Sequence, residues 1–379
     1  MQNAIAGEVR LTLETLFTPY TIRGVTVPNR FAMAPMQRHK PSDFIPSREH
    51  AADYRARVEG GIGLVITQGT TMDHWSTSSA YARLFPPAYD GWKACVEAVR
   101  EAGGHIFLQL WHEGANREGG FGPSGLTAAG ELRGNPFTKD QIEEVTDLYA
   151  RSAEIAKAIG FSGVELHGAH GHLIDQFFFA GSNKRDDEYG GDLAARMKFG
   201  LDVVRRVRSA VGDDYPIGMR ISQWKGGVYD IKPCPTPDDL KAFLTPLVAA
   251  GIDVFHASAR RFWVPEFEGS DLGYAGWVKA MSGIPTIAVG SIGLDTDMQS
   301  SFAGQIAKTT GAAGIAELER RFARGDFDLA AIGRAVLVEP DWVNKVRNRL
   351  FGDLRSELFT DEIRSTVVTR TYTMPANSA

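Results

Sequence analysis

The sequence predicts an α/β protein, a (β/α)8 barrel of the TIM type with an N-terminal β-hairpin and loop insertions. Three observations predict it. Short β-branched and apolar runs alternate with longer segments of helical period almost to the end of the chain, the order that builds βα units around a parallel sheet. There are eight such runs, and most are continuously apolar, as strands covered on both faces are. No G-x-G-x-x-G follows the first run to open a helix, as an open dinucleotide-binding sheet usually shows, whereas Gly290-Ser291 and Gly333-Arg334 end the seventh and eighth runs, where barrels commonly build a phosphate site.

In chain order, residues 21–29 (TIRGVTVPN) read as a hairpin placed to plug the N-terminal mouth of the barrel. Strands are expected at 31–36, 63–69, 105–112, 163–169, 216–222, 253–259, 285–290 and 329–333. Gly119, Gly120 and Gly122 lead to Pro123, so that glycine-rich run is a loop. Between the third and fourth strands Ile142, Val145, Leu148, Ile155 and Ile159 share one helical stripe, and Thr138 with Gln141 makes a capping box. A second helix opens at Thr236-Pro237-Asp238-Asp239, where a capping hydroxyl, a proline at the first helical position and acids at the positive dipole end agree. No repeat, low-complexity tract or linker divides the 379 residues, so one domain spanning 1–379 is expected, with a core of about 16–348 and a tail at 350–379.

At 43% hydrophobic and 23% charged, the chain can bury a sizeable core. Forty-one basic against 46 acidic residues give −5, which offers no field for nucleic acid or an anionic membrane. Cys95 and Cys234 belong to no C-x-x-C pattern, and the first fifteen residues interrupt with Glu and Arg the apolar stretch a signal peptide needs. A cytoplasmic, reducing location is the expectation.

The densest polar cluster, Val164-Glu165-Leu166-His167-Gly168-Ala169-His170-Gly171-His172, lies at the C-terminal end of the fourth strand, where barrel active sites sit. Three imidazoles in six residues suit catalytic zinc by number, but the spacing is not H-E-x-x-H and no H-x-H stands on the first strand; no metal is assigned. In a second reading His167 and His170 both donate to one substrate oxygen and stabilise charge growing there. In a third they are ordinary strand-end histidines bonded to backbone. Gln37, Gln68, Gly69, Gln109, Trp111 and Arg220 end other strands. Singly, each satisfies loop carbonyls; together, amides, a guanidinium and an aromatic wall are what a planar heterocycle with carbonyl and N–H edges requires, and an isoalloxazine fits. The loop Arg260-Arg261-Phe262-Trp263 either covers a substrate or packs on the surface.

With these residues on view, the stretch from about Leu16 to Asn348 resembles the Old Yellow Enzyme family of FMN-dependent oxidoreductases. LFTPYTIRGVTVPNRFAMAPM is similar to the family's first hairpin and strand, LQLWHEGA to its third strand, VELHGAHGHLIDQF to its fourth, and NKRDDEYGGDLAAR (183–196) to a long family signature. The resemblance implies that Ala34, Pro35, Met36, Gln37, Gly69, Gln109 and Arg220 contact the flavin ring or its edge, and that Gly290, Ser291, Gly333 and Arg334 hold the phosphate. It implies that His167 and His170 bind the carbonyl or nitro oxygen of an activated alkene, with Trp111 lining the substrate pocket; Trp263, in the distinctive 260–263 loop, is a further candidate for contact with the substrate. Hydride would pass from NADH or NADPH through flavin N5 to the β-carbon in two successive reactions at one site, with a small unsaturated molecule as the partner. Two positions depart from the family pattern. His172 stands where the family usually has the tyrosine that protonates Cα, and Gln37 stands where Thr or Cys is common. As an imidazolium His172 would deliver that proton near neutral pH in place of the tyrosine, or it only shapes the pocket, and the departure also raises the alternative of a flavin dehydrogenase or demethylase on the same scaffold. A metal-dependent barrel hydrolase and a non-catalytic flavin binder are the readings from other classes, and oligomeric state stays open.

Overall fold

Eight parallel strands pair in chain order and close on themselves. Phe31–Met33, Leu64–Ile66, His105–Trp111, Gly163–His170, Ile217–Lys225, Val254–Ser258, Thr286–Val289 and Leu329–Ile332 each lie beside the next. The last returns to the first through Ala330↔Phe31, Ala331↔Ala32 and Ile332↔Met33. The computed structural model describes residues 13–37, 44–77 and 81–355. The order and closure are those of a (β/α)8 barrel, and an open doubly wound sheet is excluded by the eighth-to-first pairing.

Two apolar layers hold the barrel. The outer one joins helices to strand exteriors, with Trp92, Tyr149, Phe199 and Phe255 among its largest members. The inner one is small and local: Ala32, Leu64, Ile66, Phe107, Val254, Ile287, Leu329 and Ala331 fill the lower barrel together with Ile22 and Val27. Those last two belong to the hairpin of Tyr20–Ile22 and Val25–Val27, which plugs the N-terminal end as its sequence predicts. Arg23 in the turn fixes it, donating to Asp253 Oδ1 and the Asp213 carbonyl at 2.6 Å each.

The helices start where their caps predict. Thr138 accepts from Gln141 N and the Gln141 side chain accepts from Thr138 N, opening Lys139–Ile159. Thr236 and Asp239 do the same at Pro237–Ala250.

Strand ends near the site differ from the sequence expectation. The first strand stops at Met33, so Ala34 to Gln37 form an irregular lip, and the second stops at Ile66 rather than Gly69. There the Thr67 hydroxyl accepts from Gln109 N at 3.0 Å, so a side chain has entered the ladder. The chain resumes as Thr70–Met72 against Leu110 and Trp111. The fifth strand instead runs on to Lys225. At the other end of the chain, a 3-10 turn spans Phe351–Asp353, and the rest of the expected tail, from 356, lies outside the described residues.

Candidate active site

Strand alternation places the polar residues. Gln109 and Trp111, Glu165 and His167, Gly218 and Arg220, and His256 and Ser258 are two apart on neighbouring strands and turn inward above the inner apolar layer. At the deepest level Glu165 is buried; its Oε1 accepts from Gln109 Nε2 and its Oε2 bonds His256 Nδ1, each at 2.7 Å. With its amide nitrogen held below, Gln109 turns Oε1 toward Gly69. A methyl group on Gly69 would meet Gln37 Nε2 at 3.1 Å, Trp111 Cδ2 at 3.2 Å and Gln109 Oε1 at 3.3 Å, so four predicted residues converge at one point. Gln37 Nε2 also donates to the Gly69 carbonyl at 3.2 Å. Gln68 is buried but belongs to the backbone break, where its carbonyl accepts from Thr67 and Thr70 at 3.0 Å each.

The histidines form the next layer. The His167 and His170 rings stand 5.2 Å apart at 84°, and His172 lies 4.8 Å from His167 and 5.2 Å from Trp111. His170 has a left-handed backbone, φ 63°, which aims its ring across the barrel mouth onto Trp224, stacked at 4.1 Å. Its Nε2 bonds Ser258 Oγ at 2.8 Å, and the same hydroxyl accepts from Arg220 Nη2 at 3.3 Å. Ser258 therefore joins the His170 ring to the Arg220 guanidinium.

Burial holds these imidazoles neutral. His167 and His170 are pushed well below the usual histidine range, first by desolvation and then by neighbouring positive charge, His172 and Arg220 acting on both, His256 on His167, and His167 and Lys225 on His170. His172 is brought down to about 4, mainly by burial, against a hydrogen bond with the Glu113 backbone that raises it. A standing imidazolium at His172, the form the sequence suggested for delivering a proton near neutral pH, is therefore disfavoured. Among the described residues no group of three or more His, Cys, Asp or Glu is placed to hold a metal ion.

The phosphate candidates also meet. Seventh and eighth strands are neighbours, so Gly290-Ser291 and Gly333-Arg334 lie side by side, and strand closure brings Gly333 next to Met36, whose Sδ is 3.7 Å from where a Cβ would sit. Gly290 (φ 148°) leaves no room for a side chain, because a Cβ would fall 2.6 Å from the Ala259 carbonyl. Arg334 does not reach into open space as a lone cation. It donates to Ser301 Oγ at 2.5 Å, Ser291 Oγ at 3.3 Å, the Asp297 carbonyl at 3.3 Å and the Thr296 carbonyl, tying the two loops together. Desolvation lowers it to about 10.

Trp263 is placed elsewhere. A cavity of about 350 Å3 beside the site is walled by Trp224, Tyr229, Ser258, Arg260, Arg261 and Glu266 among others, and Trp263 is not part of its lining. The Trp263 ring instead packs edge-on to Phe262 against the core, so of that loop the arginines, not the tryptophan, face the cavity.

FMN fits the groups left over. Arg220 Nε and Trp111 Nε1 are buried without partners, and desolvation, only partly offset by the charge of Glu165, lowers Arg220 to about 10. An anionic, hydrogen-bonding ring edge supplies what both lack. Sequence reasoning missed Glu165, Ser258, His256 and Trp224 as site residues. The period-2 alternation of polar residues along 163–170 and 254–258 was the available signal.

Comparison with known proteins fits this geometry. The profile of the NADH:flavin oxidoreductase / NADH oxidase family matches residues 15–352. The chain belongs to that family. Among members of the NADH:flavin oxidoreductase / NADH oxidase family, it is 30% identical over 364 residues to the NADH oxidase of Thermoanaerobacter brockii, covering 90% of this chain and 52% of that one. The chain thus spans about half the length of that relative. It is 29% identical to the NADPH dehydrogenase of Bacillus licheniformis, covering 88% of this chain and 94% of that protein. The structure of morphinone reductase in complex with tetrahydroNAD superposes with a TM-score of 0.73 at 26% identity, covering 90% and 92% of the two chains. Old Yellow Enzyme from Pichia sp. AKU4542 shares the fold with a TM-score of 0.76 at 23% identity, covering 96% of each. The family pairs a flavin with a nicotinamide, and the barrel is theirs.

Proposed function

We propose that this chain is an FMN-dependent NAD(P)H oxidoreductase that reduces activated alkenes, α,β-unsaturated carbonyl or nitro compounds. The observation that carries the reading is the His167–His170 pair, two neutral imidazoles 5.2 Å apart, on the strand whose neighbour carries Arg220 in register with His167, with Arg220 Nε and Trp111 Nε1 buried and unpartnered. FMN, when bound, supplies a two-electron hydride carrier that serves nicotinamide and alkene in turn. Arg220, Trp111 and Gln109 would hold its ring, Ala34, Pro35, Met36, Gln37 and Gly69 its edge, and Gly290, Ser291 and Gly333 its phosphate, with Arg334 fixing those loops. A neutral imidazole donates through one nitrogen, so each of His167 and His170 offers one N–H to the substrate oxygen. Those bonds strengthen as charge accumulates there, which places their effect in the transition state.

His172, beside Trp111 and 4.8 Å from His167, lies within the same pocket and has two ring nitrogens. As a neutral ring it gives a proton from one nitrogen while taking one at the other, so we assign it relay of a solvent proton to Cα rather than storage of one. Relatives named for alkene reduction support the substrate class: a probable flavin mononucleotide-dependent alkene reductase of Leishmania infantum is 32% identical over 237 residues. The test is anaerobic visible spectroscopy of the purified FMN-loaded protein on addition of NADPH or NADH and then cyclohexenone. Bleaching followed by recovery of the yellow colour is expected; bleaching by nicotinamide with no reoxidation by any enone or nitroalkene would refute the acceptor class.

A further inference from the structure

The turn that carries His170 and His172 is an unusual piece of backbone. His170 (φ 63°) and Gly171 (φ 79°) are consecutive left-handed residues, and the first is not a glycine. Such a conformation persists only where its surroundings over-determine it. Here each backbone group of the two residues has a partner. Ser222 Oγ accepts from His170 N at 3.0 Å, and the His170 carbonyl accepts from Gly226 N at 3.0 Å. Asp175 Oδ2 accepts from Gly171 N at 2.7 Å, and the Gly171 carbonyl accepts from Asn116 Nδ2 and Gln176 Nε2, each at 2.8 Å.

Two of those partners trace back to one buried ion pair. Lys225 Nζ donates to Asp175 Oδ1 at 2.8 Å and to the Ser222 carbonyl at 2.9 Å, with side-chain exposures of 1% and 5% for Lys225 and Asp175. Asp175 lies four residues beyond Gly171 on the short helix Leu173–Phe178, and Lys225 ends the neighbouring barrel strand. The lysine thus fixes the carboxylate that holds Gly171 N and the strand segment that holds His170 N. Stability alone does not account for such a pair, since apolar residues of similar volume usually serve as well.

We propose that the buried Asp175–Lys225 pair is a positioning element for the substrate-oxygen site, clamping the His170-Gly171-His172 turn through the acceptor Asp175 gives to Gly171 N. This rests on the reading of His167 and His170 as the oxygen-binding pair. Neither residue touches substrate or flavin; both act through the turn.

Two double variants separate the clamp from the charges. Asp175→Asn with Lys225→Met removes both charges but keeps an amide oxygen for Gly171 N. Asp175→Leu with Lys225→Met removes both charges and the acceptor together. Each is prepared as FMN-loaded enzyme, and its affinity for a substituted phenol, a mimic of the substrate oxygen, is read from the change in visible flavin absorption, alongside flavin content and melting temperature. The Asn/Met enzyme is expected within about threefold of the parent's affinity; the Leu/Met enzyme, still carrying FMN, is expected to bind phenol at least about tenfold more weakly, which is roughly 1.4 kcal/mol. Parental affinity in the Leu/Met enzyme, or equal loss in both, would overturn the proposal. If the Leu/Met enzyme does not fold, Asp175→Ala with Lys225→Met, which also removes both charges and the acceptor for Gly171 N, is held to the same threshold, and parental phenol affinity there overturns the clamp. Failure of the parent itself to bind phenol, or undiminished binding after His167→Ala with His170→Ala, would instead sink the underlying site assignment.

Discussion

Replacing Glu165 distinguishes charge from orientation beneath the flavin site. Its carboxylate takes one hydrogen bond from Gln109 Nε2 and one from His256 Nδ1, both at 2.7 Å, in a fully enclosed position. Glu165→Leu removes both acceptors and leaves two buried donors without partners, at about 1–3 kcal/mol each, or roughly 4 kcal/mol in all. Glu165→Gln costs less. The new amide nitrogen can face His256, whose proton then moves to Nε2, a buried atom without a partner, while the remaining oxygen still accepts from Gln109; that orphaned donor and the lost charge assistance together cost about 2 kcal/mol. Gln109 therefore keeps its oxygen toward Gly69 in the Gln variant and is freed to rotate in the Leu variant. Chemical denaturation of the cofactor-free proteins measures the first difference, and FMN titration by fluorescence the second. FMN affinity is expected to fall about tenfold or more for Leu and no more than about threefold for Gln. Equal FMN affinities in the two variants would show that Gln109 orientation does not matter, and a stability loss below about 1 kcal/mol for Leu would refute the count of orphaned donors.

Other expectations follow from the same geometry. Arg220→Met removes a buried cation whose Nε has no partner, and flavin content after purification should fall at least severalfold; full occupancy with an unaltered reduction rate would remove Arg220 from the site. Ser258→Ala frees the His170 ring and the Arg220 guanidinium, so phenol affinity should drop about three- to tenfold with FMN retained, read by visible titration. In rapid-mixing experiments His172→Phe should leave flavin reduction by NAD(P)H near parental and slow product protonation, with a changed solvent isotope effect; an unchanged effect would assign the ring to pocket shape alone. For pH, His112 is brought down to about 3 and His172 to about 4 by burial, while both sit near 6.5 when the chain unfolds. The unfolded state then binds more protons below pH 6.5, so their contribution is complete above that value and is lost as pH falls toward 4. The buried His112 alone accounts for an upper limit of about 5 kcal/mol, and denaturation midpoints flat between pH 7 and 4.5 would contradict its neutral burial.

Much of this was legible because it is periodic or local. Eight apolar runs, a capping box at Thr138 and a helix opening at Thr236 each depend on neighbours in sequence, and each stands where its residues predict. The hairpin was legible for the same reason. The strand ends were not, because a side chain ended one of them: Thr67 takes over a ladder position from 42 residues away along the chain. The 183–196 stretch could be recognised but not interpreted from sequence. In the fold, Arg185 pairs with Asp187 and donates to the Pro123 and Phe137 carbonyls, Asn183 holds those of Phe177 and Tyr189, and Arg196 holds that of Phe178. The motif is a clasp for the loops of the third and fourth strands. The histidine cluster pointed to the candidate site, but its electrostatics depend on burial, which disfavours the protonated His172 that the sequence suggested.

The hairpin plug has a kinetic consequence. With Ile22 and Val27 stoppering the lower barrel, anything that reaches the layer of Arg220 and His167 must come and go through the opposite end. Reductant and acceptor then share one doorway and cannot pass each other inside it. Each becomes a dead-end inhibitor of the other's turn, so excess acceptor should slow the enzyme when reductant is scarce, and initial-rate plots at several fixed reductant concentrations should run parallel rather than converge.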